Sequence, residues 1–237
     1  MGDLKLGRLP ATRPAALSDL AVYAQGKLPV PPRTVEVPKA HYPIDDNDRI
    51  GCCTISGVAH LLEAWDVEVD EHDAIPSEPV IEAEYFKLTG GEDAGLNEAD
   101  VLKTWQVDGL FGEKIAAYAP VNPRHLLELH QAVAFYGGCY LGIECPQSAQ
   151  EQFGAGEPWT YVEGSPIEGG HCVVALGYGP NGGLHCATWG GIAVLEASFL
   201  AHFLDESWVI LPHQMIEARK DALGIDLATL QADLAKV

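Results

Sequence analysis

Cys53 and His171 are the two residues of this 237-residue chain whose types and settings fit covalent chemistry. Cys53 follows Asn47-Asp48-Arg49-Ile50-Gly51-Cys52, at a point where an amphipathic helix begins. His171 opens a strand-like run, Gly169-Gly170-His171-Cys172-Val173-Val174-Ala175-Leu176-Gly177-Tyr178. A helix N-terminus favours a thiolate through its dipole, and a nearby imidazole favours it further. Together they form a thiol nucleophile and its base.

Each assignment has a plainer competitor. Cys53 also fits a small buried residue at a tight helix start, and Cys52 is a rival thiol. Adjacent helical positions differ by about 100° in direction, so only one of the two faces a cleft. The apolar stripe selects Cys53. His171 also fits a core histidine, but Gly169-Gly170 before it would let a ligand approach closely. His60 lies seven residues along the same helix, about 10 Å from Cys53 at 1.5 Å per residue, and reads as structural. His171-Cys172 and His185-Cys186 invite a zinc reading. Successive strand residues point to opposite faces, so neither pair offers both members to one metal, and no metal or cofactor is expected.

The elements that hold these residues follow from periodicity. Residues 1–40 read as an N-terminal extension, with a short helix in Ala15–Ala24 and an extended proline-rich run from Lys27 to Arg33. From Cys53, the apolar set Ile55, Val58, Ala59, Leu62 and Trp65 predicts a helix with one buried stripe. Ser77-Glu78-Pro79 starts a second helix running to Leu88, and Asn97 caps a third that ends near Gly109. Strands are expected at Glu113–Ala119, Cys139–Glu144, His171–Tyr178, Leu184–Trp189, Ile192–Glu196 and Trp208–Leu211, with a helix at Pro123–Phe135. Ser198–Phe203 predicts a helical turn, and 214–237 a tail with an amphipathic helix at Ile225–Leu234. Helices first and antiparallel strands later indicate an α+β fold of two subdomains.

Several stretches resemble the papain-like cysteine peptidases. Gly51-Cys52-Cys53-Thr54 is similar to the family's nucleophile sequence, Gly170-His171-Cys172-Val173 with Gly177-Tyr178 to its histidine block, and Thr188-Trp189-Gly190 to its Ser-Trp-Gly. Asn47, six residues before Cys53, stands where the family has its oxyanion-hole glutamine. Glu98 to Tyr118 and Pro123 to Glu144 resemble the segments between, so the likeness spans residues 41–212 in family order. It implies a helical half carrying Cys53, a barrel-like antiparallel half carrying His171, and a cleft between them. It also implies hydrolysis of a peptide or amide bond by a Cys53–His171 dyad, with Asn47 and the Cys53 amide holding the oxyanion. Trp189 would shield His171. One position departs: Ala187 occupies the site of the family's orienting asparagine, and on a strand Thr188 should point the other way.

The Asn47-Asp48-Arg49 start and the Asp205-Glu206-Ser207-Trp208 end also resemble uncharacterised papain-like proteins of tailed bacteriophages and soil bacteria. That likeness, with Ala187, implies the rival function: a catalytically retired module acting as a structural or binding component, such as a virion part. The extension would then serve protein assembly.

Composition narrows the partners. A hydrophobic fraction of 47% with 20% charged residues fits a soluble globular domain. The formal charge of −20 opposes nucleic acid and anionic membranes and leaves a peptide or protein as substrate. Thirteen acids against Lys87 alone, a net of −12, lie between Glu63 and Asp100 and read as a solvated face. No signal peptide or membrane span is apparent, and the six cysteines sit in apolar runs. Free thiols and a cytoplasmic location are therefore expected.

Overall fold

The computed structural model describes residues 4–25, 27–69, 76–213, 216 and 224–237. The three acids between 70 and 75, and most of 214–223 in the tail, lie outside those residues.

The helical half comprises α1 (Leu20–Tyr23), α2 (Cys53–Val69), α3 (Glu78–Thr89) and α4 (Glu98–Val107). Asn97 caps α4 by accepting the Ala99 amide, and Gly90 closes α3 at φ 70°, a left-handed turn that a side chain would strain. The second half contains β1 (Ile115–Pro120), α5 (Leu126–Tyr136), β2 (Cys139–Pro146), α6 (Gln147–Ala155), β3 (Ile167–Tyr178), β4 (Leu184–Thr188), β5 (Gly191–Leu195), α7 (Ala197–Phe203) and β6 (Leu204–Pro212). Helix α8 (Leu227–Leu234) follows; the Asp226 amide donates to Tyr23 O, and Tyr23 Oη donates to the Asp233 carboxylate. The short, polar α6 has no counterpart among the elements expected from the sequence.

The six strands form one antiparallel sheet in the order β1-β6-β2-β3-β4-β5. The sheet is not closed: β1 and β5 remain its two edges. The barrel-like antiparallel half expected from the sequence is present as an open sheet, since closure would need those edge strands to pair.

A correction concerns α2. Instead of one apolar stripe, every residue from Cys53 to Leu61 is buried. The helix lies against β3 and contacts α3 and α4, so no face of its first turns meets solvent. Gly57 sets the depth of that packing: a Cβ there would fall 2.8 Å from Tyr140 Cε2 and 3.2 Å from Cys172 Sγ. A bare backbone at this point brings the head of α2 close to the His171–Cys172 step.

Candidate active site

The nucleophile position is built by a loop folding back on its helix. The Ile55 and Ser56 amides both donate to Cys52 O, opening α2. Cys52 Sγ donates to Asp45 O at 3.2 Å, and Ser56 Oγ donates to the Asp45 carboxylate at 2.8 Å. These bonds turn Cys52 into the preceding loop. The Cys53 thiol instead meets backbone groups of Cys172 and Gly7. Of the two adjacent cysteines, Cys53 is the one beside the histidine strand.

His171 is fully buried. Its Nε2 lies 2.7 Å from Thr188 Oγ1, and its ring stacks on Trp189 at 4.1 Å between centroids and 13° between planes. Nδ1 has no hydrogen-bond partner. Thr188 corrects the expectation that it would face away. In the β3–β4 ladder Val174 pairs with Ala187, so Thr188 falls opposite Val173, two residues from His171 and on its face. Ala187 shares the opposite face with Cys172 and Val174. The hydroxyl that meets the imidazole stands one residue along β4 from Ala187, where alternation brings it to the face of His171.

The turn after Thr188 places the stacked indole. Trp189 and Gly190 have φ 42° and 75° between the paired residues Thr188 and Gly191, the positive-φ pattern of a tight two-residue hairpin turn. A tryptophan in that region carries backbone strain. Its contacts with His171, Phe153 and Trp159 hold it there.

Asn47 is buried in the loop before α2, with its Oδ1 unpartnered. That loop packs against the Trp189-Gly190 turn, since a Cβ on Gly190 would touch Ile44 at 3.4 Å. No hydrogen bond joins the Asn47 amide to Cys53 or His171 among the described residues. His60 turns to Pro43 O at 3.0 Å and to the Asp45 carboxylate at 3.3 Å, a bracing role in the same loop.

The cleft between the halves is filled by the chain's own N-terminus, which nothing in its sequence signals. The Arg8 amide donates to Gly170 O, the Leu9 amide to Leu96 O, and the Leu96 amide to Gly7 O, each at 3.0 Å. Residues 7–9 thus run parallel to Leu96 and antiparallel to Gly170, directly before His171. Glycines permit the approach: a Cβ on Gly7 would lie 1.9 Å from Gly51 O, and one on Gly170 would lie 2.3 Å from Arg8 O. The opening that remains, about 260 Å³, is partly walled by Lys5–Leu9 themselves.

This burial sets the electrostatics. It pushes the Cys53 thiol up to about 11, against the favourable backbone groups of Cys172 and Gly7. It pushes His171 down to about 3, helped by the Arg8 charge and the neighbouring His60. Thiol and imidazole are both neutral here. No hydrogen bond joins Cys53 to His171 among the described residues, and Nδ1 is the ring nitrogen left unengaged. Thr188 Oγ1, accepting from Nε2–H, would hold the tautomer in which Nδ1 carries no proton.

No protein-family model matches the chain, and no curated protein sequence matches it. Among solved structures, xylellain, a cysteine protease from Xylella fastidiosa, is similar with a TM-score of 0.68 at 17% identity, over 89% of this chain and 97% of that one. Procathepsin B S9 from Trypanosoma congolense gives 0.55 at 11%, over 88% and 86%. The ragweed pollen cysteine protease Amb a 11, in its proform, gives 0.53 at 14%, over 84% and 74%. The chain has the fold of the papain-like cysteine proteases.

Proposed function

We propose that this papain-like chain is a thiol-dependent hydrolase of peptide or amide bonds, held closed by its N-terminal segment. The observation that carries the reading is the oriented imidazole: His171, bonded through Nε2 to Thr188 and covered by Trp189, with Nδ1 free and its strand against Cys53. A core histidine needs no such arrangement of a strained tryptophan and an unpartnered nitrogen.

In the reaction, His171 Nδ1 takes the Cys53 proton and the sulfur attacks the substrate carbonyl carbon. The carbonyl π electrons move to oxygen, which the Cys53 backbone amide receives; Asn47 assists once its amide turns into the opened cleft. Collapse breaks the C–N bond, and His171 protonates the departing amine. Water, deprotonated by His171, then hydrolyses the thioester. The segment opposes this cycle because it presents the Gly7 backbone to the sulfur, with the Gly7 carbonyl committed to Leu96.

One observation favours the retired-module reading instead: Arg8 is seated in the cleft as tightly as a core residue, 5% exposed. Under that reading, a place in a phage particle and an assembly role for residues 1–40 are the corresponding proposals. Hydrolysis of a mixed fluorogenic peptide library, before and after trypsin nicks the segment, separates the two. Activity that appears on nicking and is absent in Cys53→Ala supports the hydrolase; a nicked, folded and inert protein sinks it. Cytoplasmic residence is proposed on composition alone.

A further inference from the structure

The side chain of Arg8 does more than fill space. It is 1% exposed, and its Nη1 donates to the Glu206 carboxylate at 2.7 Å. Nη2 donates to the Asp205 carboxylate at 2.8 Å and to Ile143 O at 3.0 Å. A third acid, Glu98, is completely buried next to this group and interacts with both Arg8 and the Cys172 thiol. The cavity exists because Gly142 lacks a side chain: a Cβ there would lie 2.5 Å from Glu206 Cγ and 3.0 Å from Arg8 Cδ.

The pocket belongs to the cleft. The Arg8 carbonyl packs on Gly170, and the guanidinium's charge reaches both His171 and Cys53. Glu98 and Glu206 are buried together, with Asp205 28% exposed at the rim, and without a cation burying such carboxylates unpaired is costly. They are arranged to be neutralised by a cation entering from the cleft. A planar guanidinium satisfies two carboxylates and a carbonyl at once. Segment and substrate cannot occupy the same backbone track, so when Arg8 leaves, the pocket opens to whatever lies along Gly170.

We propose that the Glu98–Asp205–Glu206 pocket is a specificity site for one arginine side chain of a peptide bound in the cleft, and that Arg8 is its built-in competitor. The substrate class deepens the hydrolase reading, but the pocket's cation preference stands or falls separately. The surface supports it, since a chain of charge −20 attracts basic peptides.

The test uses full-length Arg8→Ala, which vacates the pocket, and N-acetyl-arginine amide against its citrulline counterpart, equal in shape but uncharged. At millimolar concentration the arginine compound should raise the melting temperature of Arg8→Ala, while the citrulline compound should not, and wild type should respond to neither. A folded Arg8→Ala that responds equally to both, or to neither, overturns the proposal. Should Arg8→Ala not fold, Glu206→Gln in the wild-type background serves. Amide exchange at Arg8, Leu9 and Leu96 should then accelerate by roughly tenfold, the worth of one charge-assisted hydrogen bond; unchanged exchange overturns the proposal. In Arg8→Ala, cleavage of arginine peptides over citrulline peptides reports the enzyme. Binding preference without any cleavage defeats the hydrolase reading and leaves the pocket standing; cleavage without preference does the reverse.

Discussion

Thr188 Oγ1 and His171 Nε2 lie 2.7 Å apart on neighbouring antiparallel strands, with both side chains on one face of the sheet. A hydroxyl therefore does the orienting that a carboxamide would do from the adjacent residue.

Replacing that hydroxyl should separate orientation from nucleophilicity. Thr188→Val keeps the shape and removes the hydrogen bond; kcat should fall by roughly 10- to 100-fold, with KM little changed, since the dyad still carries the covalent step. Thr188→Ser should retain most activity. Equal losses in both variants, read by steady-state kinetics on nicked protein, would show that the hydroxyl does not orient the base.

Cys53 should be a slow thiol until the segment leaves. With its pKa pushed up to about 11 and its sulfur covered, iodoacetamide labelling of the full chain at pH 7.5 should be slow. Gly7→Ala, whose Cβ would meet Gly51 O at 1.9 Å, should unseat the segment. Labelling of Cys53 and trypsin cleavage at Lys5 or Arg8 should then rise together by at least roughly tenfold, because both depend on the same opening. Mass spectrometry of the labelled peptide reads the site; equal labelling of wild type and Gly7→Ala would mean that the segment does not control access.

Cys52 should be dispensable for chemistry. Its thiol is committed to Asp45 O, so Cys52→Ala should cost about 1–2 kcal/mol in stability through a lost bond and a small void. Activity after nicking should stay within about twofold, whereas Cys53→Ala abolishes it. Loss of activity in a folded Cys52→Ala would reverse the assignment of the two thiols.

Acid should unfold the protein partly through His171. Its folded pKa, about 3, lies below the ordinary histidine value of 6.5, so the unfolded chain binds the extra proton between those values. Stability from this group is full above pH 6.5 and is lost as the pH falls toward 3, with a slope of up to about 1.4 kcal/mol per pH unit. Glu63 works in the opposite sense: burial raises it to about 9, so its contribution fades as pH rises from 4.5 toward 9. Denaturant midpoints for His171→Gln should fall less between pH 6.5 and 4 than those of wild type; an identical decline would remove His171 as the cause.

What the sequence determined by itself was whatever local spacing encodes. A period of three to four residues marked α2, because burial of one face imposes that repeat; cap and breaker residues marked α3 and α4, and apolar runs marked the strands. The order of Cys53, His171 and Trp189 marked the fold through its resemblance to the papain-like peptidases, not through local periodicity. Tertiary structure decided the rest. Strand register chose Thr188 over Ala187, and register depends on a bulge between Ala175 and Gly177 that no local pattern announces. The open sheet depended on which edges pair. Above all, the seat of Leu4–Leu9 in the cleft and of Arg8 among Glu98, Asp205 and Glu206 joins residues 43 to 198 positions apart. Such contacts follow from shape and charge complementarity between distant surfaces, and a linear pattern carries no trace of them.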